Sequence, residues 1–214
     1  MLEKLLPPPI AAVERYNDEQ PVELFPEEEA LLGNAVPKRR FEFGTVRACA
    51  REAMQRLGVT PAAILPGKKR EPLWPENVVG SLTHCSGFRA AALALSSDFL
   101  TIGIDAEPHA PAPDGVLGAI ALPAELRRMP GLKVDDPKIC WDRLLFSAKE
   151  STYKAWYPVT QRWLGFEDAD ITLHADGTFH SRILLPDTPI AGFTGRWLVQ
   201  GDLLITTIAV PAGV

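Results

Sequence analysis

The sequence predicts an α+β protein built from two similar lobes. In each half of the chain a long helical pattern is followed by short runs that are typical of strands. Between the halves, PHAPAPDG places three prolines within six residues, which excludes a regular element. We therefore predict an N-terminal lobe over residues 1–107 and a C-terminal lobe over residues 108–214. A chain of 214 residues is long enough for two small lobes that share one core.

Composition argues against several classes of protein. Hydrophobic content of 46% and charged content of 23% are ordinary for a soluble globular chain. The net charge of −5 argues against a non-specific nucleic-acid binder. No run approaches the ~20 apolar residues that span a bilayer, and the first residues lack a signal-peptide core, so we expect a cytoplasmic protein without membrane contact. The three cysteines are far apart and odd in number, which indicates reduced thiols.

The first half begins with helical signals. Pro26 followed by three glutamates fits a helix start, because acids suit the positive end of the helix dipole. From Lys38 to Leu57 apolar residues recur at spacings of three and four, and Gly58 ends the pattern. Three arginines are spaced to share one face of this helix: Arg40, Arg47 and Arg51.

Strand signals follow the first long helix. A basic, turn-rich loop, PGKKREPLWPENVVG, leads into VVGSLTHCS and RAAALALSS, two short apolar runs on either side of Gly87. They predict a strand pair, and FLTIGIDAE is the third strand of the region.

The second half repeats the order of helix and strands. We predict a helix near Pro123–Met129, a loop at PGLKVDDP, and a long helix from about Lys138 to Tyr157 with Pro158 just past its end. In DITLHADGTFHSRILL the pair Asp176-Gly177 lies between alternating runs, which predicts a hairpin. GRWLVQGDLLITTIAVP predicts another hairpin.

Two carboxylates end the third strand. Asp105 and Glu107 are two positions apart, so a strand points both to the same face. At a separation of ~5.5 Å and an effective dielectric of 20, their repulsion is about 3 kcal/mol. A half-buried pair needs a cation or a raised pKa, and oxygen ligands select hard ions such as magnesium. For the pair alone, an acidic strand end at a solvated turn is the more ordinary interpretation.

The long helix of the second half carries an acid between two lysines. Glu150 and Lys154 are one turn apart and face the same way, whereas Lys149 lies about 100° around the helix axis from Glu150. A surface ion pair is the simplest explanation of this spacing. The neighbouring residues are mostly large and apolar, however, so we predict a polar site enclosed by apolar walls.

The combination of GIDAE, GSLTHCSG and FSAKESTYKAW resembles the 4′-phosphopantetheinyl transferases of the surfactin-synthetase and enterobactin type, including their actinobacterial relatives. KRRFEFGTVRACAREAMQRLG, EPLWP and RWLGFEDADITL extend the resemblance over most of the chain. It implies a pseudo-dimeric two-lobed fold. It also implies transfer of the phosphopantetheine arm of coenzyme A to a serine of an apo carrier protein, with release of 3′,5′-ADP.

The resemblance also implies roles for individual residues. Asp105, Glu107 and Glu150 match the magnesium ligands, and Glu150 matches the base that takes the proton of the carrier serine, directly or through a water. Lys154 matches the lysine that assists the diphosphate leaving group. Pro66 stands where some relatives have a lysine, so either Lys68 or Lys69 is the substitute. The remaining positions that match contacts to phosphates or nucleotide, or flank one, are Arg39, Arg40, Arg47, Thr83, His84 and Lys149.

Magnesium is thus the expected cofactor, coenzyme A the substrate, and apo acyl, polyketide or peptidyl carrier proteins the partners of a monomeric enzyme. The sequence does not choose among carriers. Because carriers are usually acidic, we expect a basic and apolar rim near the cleft; Leu122–Met129, with Arg127 and Arg128, is either that rim or an ordinary surface helix. Two alternatives stay open: a magnesium-dependent hydrolase of nucleotide diphosphates, and a coenzyme A-binding protein without catalysis.

Overall fold

Helices and antiparallel sheets make up the computed structural model, which describes residues 1–18 and 22–213. The helices are α1 (Pro26–Leu32), α2 (Pro37–Arg56), α3 (Val116–Ile120), α4 (Pro123–Asp135) and α5 (Trp141–Thr160). The strands are β1 (Ala11–Arg15), β2 (Leu65–Pro66), β3 (Pro72–Leu73), β4 (Val78–Cys85), β5 (Phe88–Leu95), β6 (Phe99–Pro108), β7 (Ala169–Leu173), β8 (Thr178–Ile183), β9 (Gly192–Gln200) and β10 (Leu203–Pro211). The α+β prediction is confirmed. Within the described ranges, no helix is both long enough and apolar enough to cross a membrane.

The N-terminal sheet has three strands in the order β1-β5-β4, all antiparallel. The predicted strand pair is the β4–β5 hairpin, and α2 lies over the sheet. Four small or flexible side chains of α2 form the helix side of this core: Cys49, Ala50, Ala53 and Met54. The prediction missed β1, because its five residues are too few to show a clear alternation.

The C-terminal sheet has five strands in the order β6-β10-β9-β8-β7. Both predicted hairpins are present: β7 pairs with β8, and β9 pairs with β10. Gly177 occupies the turn of the first hairpin with a positive φ of 88°. Helix α5 covers the sheet, and two of its own tryptophans, Trp141 and Trp156, are fully buried in the core between helix and sheet.

Strand β6 joins the two sheets. It is hydrogen-bonded to β10, while the backbone N–H groups of Ile104 and Ala106 donate to the hydroxyls of Ser81 and Thr83 in β4 at 3.1 and 3.0 Å. Side-chain oxygens thus replace a strand ladder between the lobes. The predicted lobe boundary after residue 107 falls between the last two residues of β6, a strand that pairs with β10 of the C-terminal sheet.

Two helices extend further than the prolines suggested. α4 continues through Pro130 to Asp135, so the loop predicted at PGLKVDDP is helical over most of its length. Met129 and Leu132 pack against the C-terminal core and hold both sides of the proline. Pro158, predicted to lie past the end of α5, is inside its last turn, and the helix ends at Gln161, which has a left-handed φ of 52°.

Helix α5 lies directly on β6 at Gly103. A Cβ at this position would collide with the carbonyl oxygen of Ser151 and lie 2.9 Å from the backbone nitrogen of Ala155. Two residues earlier in β6, the Thr101 hydroxyl donates to the Ala155 carbonyl at 2.8 Å. This close approach brings the α5 side chains within reach of the carboxylates of β6.

We expect Gly103→Ala to lower the free energy of unfolding by about 1–3 kcal/mol, because the added methyl group forces α5 away from β6. The matched control is Gly118→Ala in α3, where the added Cβ meets open space. Denaturant titrations measure both variants, and equal stabilities would contradict the close packing described above.

Candidate active site

A cleft of about 610 Å³ opens between the lobes. α2, the loop 65–72 and β4 line it from the N-terminal lobe, and α5 lines it from the C-terminal lobe. Its volume lies within the range of small-molecule sites. Basic and acidic side chains share the lining: Arg39, Glu42, Arg47, Lys69, Arg70, Glu71, His84, Glu150 and Lys154.

Asp105, in β6, lies outside the cleft lining, is only 5% exposed, and is connected to the cleft through Lys154. Its Oδ1 accepts a hydrogen bond from Lys154 Nζ at 2.8 Å and a longer one from the Thr83 hydroxyl at 3.4 Å. Lys154 Nζ also donates to the Ile104 carbonyl at 3.1 Å, which holds the lysine on the strand. Asp105 Oδ2 is buried and has no hydrogen-bond partner among the described residues. A buried carboxylate oxygen without a partner is unfavourable, so it suits a cation or a donor on a ligand.

Glu107 is two residues further along β6 and half-buried. Arg143, in the first turn of α5, donates from Nη1 to Glu107 Oε2 at 3.0 Å. Burial raises the pKa of Glu107, the charge of Asp105 raises it further, and Arg143 acts in the opposite direction. The strand geometry predicted from the sequence therefore brings Asp105 and Glu107 close enough to influence each other electrostatically.

Glu150 reaches the cleft from α5, one turn before Lys154. Burial raises its pKa, and the charge of Asp105 adds to that effect, while Lys154 opposes it. A carboxylate with a raised pKa in a cleft is suited to accept a proton. Lys154 bonds to Asp105, and Glu150 lies near enough to both for their charges to affect its pKa.

The structure does not show the expected convergence of Asp105, Glu107 and Glu150 on one ion. Within residues 1–18 and 22–213, no three histidine, cysteine, aspartate or glutamate side chains are arranged to hold a metal ion. Instead, Lys154 binds one oxygen of Asp105, and Arg143 binds one oxygen of Glu107. One observation suits a magnesium ion: Asp105 Oδ2 is buried without a hydrogen-bond partner among the described residues, and carboxylate oxygens are ligands that magnesium prefers. Burial is the main cause of the raised pKa of Glu107 and of Glu150, and the charge of Asp105 adds to it.

Basic side chains line the opposite side of the cleft, and the structure separates the predicted ones. Arg39, Arg47 and Lys69 line it, whereas Arg40 pairs with Glu29 outside the lining and Lys68 is exposed outside it. Of the two alternatives for the loop lysine, Lys69 is the one that the structure brings to the cleft. Its Nζ lies 5.3 Å from the centre of the Trp163 ring.

Arg47 is held in a fixed orientation. Its guanidinium carbon lies 3.2 Å from the centre of the Phe43 ring, and Nη2 donates to the Ile64 carbonyl at 3.1 Å. Burial lowers the pKa of Arg47 to about 10, the charge of Glu28 opposes this, and Arg39 and Arg51 add to it. Arg47 thus stays charged at neutral pH and offers a preorganised cation to an anionic ligand.

Thr83 and His84 point to different surroundings, as neighbours in a strand do. The Thr83 hydroxyl is buried and bonded to Ala106 and Asp105, so it supports β6 rather than the cleft. His84 lines the cleft and is exposed. The surrounding protein still desolvates the His84 ring and lowers its pKa, and the cations of Arg39 and Lys154 add to this effect.

Lys149 does not reach the cleft, which corrects the expected phosphate contact. Its Nζ is bonded to Glu125 Oε1 at 3.0 Å and to the carbonyls of Phe166 and Ala169 at 2.7 and 2.8 Å. Each of the three ammonium protons therefore has an acceptor. The side chains of Lys149 and Glu125 are both 1% exposed. The geometry assigns Lys149 to the C-terminal core.

Sequence reasoning missed two buried glutamates, Glu28 and Glu125. Each is the third residue of a helix that begins with proline, and each accepts the N–H of the residue before that proline. A proline followed two positions later by glutamate is a recognisable helix-start signal. It does not reveal the second partner of each carboxylate, which comes from a distant helix. The segment Leu122–Met129 contains this second glutamate, and its Arg128 pairs with Asp170.

Comparisons with known proteins agree over nearly the whole chain. The profile of the 4′-phosphopantetheinyl transferase N-terminal domain matches residues 27–94, and that of the 4′-phosphopantetheinyl transferase superfamily matches residues 101–208. The chain is 49% identical to the 4′-phosphopantetheinyl transferase Svp of Streptomyces mobaraensis, with 100% of this chain and 91% of the relative covered. It is also 49% identical to PptT of Mycobacterium tuberculosis over 93% of this chain and 91% of that protein. Enterobactin synthase component D of Salmonella typhi is 32% identical over 83% of this chain and 75% of the relative.

We expect Lys149→Met to lower the free energy of unfolding by about 3–5 kcal/mol, because it leaves Glu125 charged and buried without its cation. The double variant Lys149→Met with Glu125→Gln should recover part of this loss, since the neutral amide removes the buried charge and its oxygen can still accept one of the two backbone N–H groups that Glu125 binds. Denaturant titrations compare the two. A single variant as stable as the parent protein would return Lys149 to the list of candidates for ligand binding.

We expect Glu150→Gln to raise the melting temperature at neutral pH. The folded state raises the pKa of Glu150, so its ionised form costs stability there; that cost disappears as the pH falls through the raised pKa toward the ordinary value of 4.5. The difference between variant and parent should therefore shrink on acidification. Glu76→Gln, at an exposed loop position, is the control. A lower melting temperature for Glu150→Gln at neutral pH would contradict the described environment.

Proposed function

The chain belongs to the 4′-phosphopantetheinyl transferase superfamily, and on that basis we propose how its cleft performs the transfer. The reaction moves the 4′-phosphopantetheine arm of coenzyme A to a serine of an apo acyl, polyketide or peptidyl carrier protein and releases 3′,5′-ADP. The observation that carries the proposal is the group of Asp105, Glu150 and Lys154 beside a cleft whose other side is basic. Relatives named as phosphopantetheinyl transferases match at 46–49% identity over most of the chain.

The basic side of the cleft is the proposed site of the nucleotide. Arg39, Arg47 and Lys69 line it and can meet the 3′-phosphate and the diphosphate of coenzyme A. Their cations lie opposite the carboxylates of β6 and α5, so the anionic substrate is held by one side and its reacting phosphorus is presented to the other. His84, which also lines the cleft, offers a ring nitrogen to the same ligand. Arg40 and Lys68 lie outside the lining, and Lys149 has a structural role in this proposal.

The chemical step is a displacement at phosphorus. The serine oxygen of the carrier attacks the β-phosphorus, the bond from that phosphorus to the bridging oxygen breaks, and 3′,5′-ADP departs. Glu150 accepts the serine proton, directly or through a water; its raised pKa makes it a better base than an exposed glutamate. Lys154 offsets the charge that develops on the leaving diphosphate oxygen.

Asp105, Glu107 and Glu150 would hold the magnesium ion of this proposal. When bound, the ion neutralises charge on the diphosphate oxygens and lowers the pKa of a nearby hydroxyl. The chain's own contribution is the placement of the acids: β6 presents two of them and α5 the third. Ala106, between the two β6 acids, carries no ligating group, so a water would have to supply any further ligand.

The proposal includes a monomeric enzyme in the cytoplasm. No choice among carrier proteins is part of it, because nothing in the cleft distinguishes fatty-acid, polyketide and peptide carriers.

The direct test incubates the protein with coenzyme A, magnesium and an apo carrier protein, followed by intact mass measurement of the carrier. Addition of one phosphopantetheine group supports the proposal. Absence of the added mass on several carriers argues against it. Release of 3′,5′-ADP at a comparable rate without a carrier favours the hydrolase, and tight coenzyme A binding without transfer favours the non-catalytic alternative.

We expect Glu150→Gln to reduce transfer by about 10²- to 10⁴-fold, because the amide cannot accept the serine proton. The protein should stay folded, as judged by circular dichroism and its melting temperature, and Glu76→Gln should transfer at the parent rate. Undiminished transfer by Glu150→Gln would remove this residue from the mechanism.

A further inference from the structure

We infer that Arg143 is a positioning residue that fixes the carboxylate of Glu107 for metal binding. Its Nη1 donates to Glu107 Oε2 at 3.0 Å, and among the described residues this is the one hydrogen bond that the Glu107 carboxylate receives. Both side chains are mostly buried, at 16% and 19% exposure. The inference rests on the proposed magnesium site, because it concerns one of the ligands proposed for it.

Arg143 is anchored independently of Glu107. Its Nη2 donates to the Pro111 carbonyl at 2.9 Å and its Nε to the Ala110 carbonyl at 3.3 Å. The guanidinium is a rigid planar group, so two backbone acceptors fix the direction of the third nitrogen. The position of Nη1 is therefore set by the backbone, and the carboxylate of Glu107 adapts to it.

The backbone that anchors Arg143 is itself fastened to α5. We call residues 109–112 the strap. The Cys140 N–H donates to His109 Nε2 at 3.2 Å, and the Ala112 N–H donates to Asp142 Oδ2 at 2.9 Å. The strap and the first turn of α5 are thus joined by hydrogen bonds, and the end of β6, which carries Glu107, leads directly into the strap.

Helix geometry puts Arg143 on the same face as the residues of the cleft. Glu150 and Lys154 follow it by seven and eleven positions, which keeps all three within about 20° of one line along α5. Lys154 binds Asp105 and Arg143 binds Glu107, so two cations about 16 Å apart along the helix axis hold two acids that are neighbours on one strand face. Oε2 of Glu107 is engaged by Arg143, which leaves Oε1 as the oxygen available to a metal.

Two effects of Arg143 on a bound ion have opposite signs. Its positive charge next to a ligand weakens the attraction for a cation, whereas its hydrogen bond orients the ligand. Groups that orient metal ligands typically contribute 10- to 100-fold to metal affinity. Removing Arg143 removes a positive charge and also frees the Glu107 side chain to rotate. We expect the loss of orientation to be the larger effect, because the two carbonyls that anchor Arg143 make it a rigid support for Glu107.

The test measures Mn²⁺ binding by electron paramagnetic resonance, with coenzyme A present and no carrier protein. We expect Arg143→Met to bind Mn²⁺ about 10- to 100-fold more weakly than the parent protein. Arg143→Lys should fall between them, because lysine keeps the charge but cannot meet three acceptors in the same geometry. Arg182→Met, which removes an exposed partner of Asp170, is the control and should bind like the parent. In transfer assays, the Mg²⁺ concentration for half-maximal rate should rise by a similar factor, with kcat at saturating Mg²⁺ within a few-fold of the parent.

Each outcome separates this inference from the proposed function. Unchanged or tighter Mn²⁺ binding by Arg143→Met overturns the positioning role and leaves the metal site in place. If that variant does not fold, Arg143→Lys decides in the same way. Failure of the parent protein to bind Mn²⁺ overturns the metal site and the inference together, while the mass measurement on the carrier still tests the transfer itself.

Discussion

The site depends on the contact between α5 and β6, where a helix of 20 residues lies against the strand that carries two acids. Gly103 permits this approach, and Lys154 seals it by bonding to both the Ile104 carbonyl and Asp105. The same approach brings Glu150 close enough to Asp105 for their charges to repel, and burial strengthens that effect. The protein compensates only part of this charge with its own cations. A site in this condition favours a ligand that brings positive charge or donates a hydrogen bond.

One structural device recurs in both lobes. Glu28 and Glu125 each stand at the third position of a short helix, accept the N–H before its proline, and accept a second N–H from a distant segment, at Ile64 and Ile171 respectively. Each also pairs with cations of the following 20-residue helix: Arg47 and Arg51 in α2, and Lys149 in α5. The recurring arrangement depends on a single glutamate per lobe, which is too little to stand out as a repeat in the sequence.

The elements with strong periodicity were predictable, and those decided by long-range contacts were not. Both long helices, the β4–β5 pair and the two C-terminal hairpins follow from apolar spacing and turn residues. The sequence did not show which sheet β6 belongs to, because the apolar pattern of a strand does not say which neighbouring strand it pairs with. For the site, sequence spacing predicted two local pairs, Asp105 with Glu107 and Glu150 with Lys154. Only the resemblance to a family indicated that the two pairs belong to one site. Arg143 gave no signal, since its partner lies 36 positions away in the chain.

Lys149 and Glu150 show why residue type and position in a motif do not determine direction. They are adjacent, yet about 100° of helix rotation sends one into the core and the other into the cleft. What selects this rotation is the buried pair of Lys149 with Glu125, supported by two backbone carbonyls of the segment that leads into β7. A rotation of α5 that turned Lys149 toward the cleft would bury Glu150 and leave Glu125 without a cation, which is strongly unfavourable. The orientation of the cleft-lining face of α5 is therefore determined on the opposite side of the helix, by a glutamate that lies outside the cleft lining.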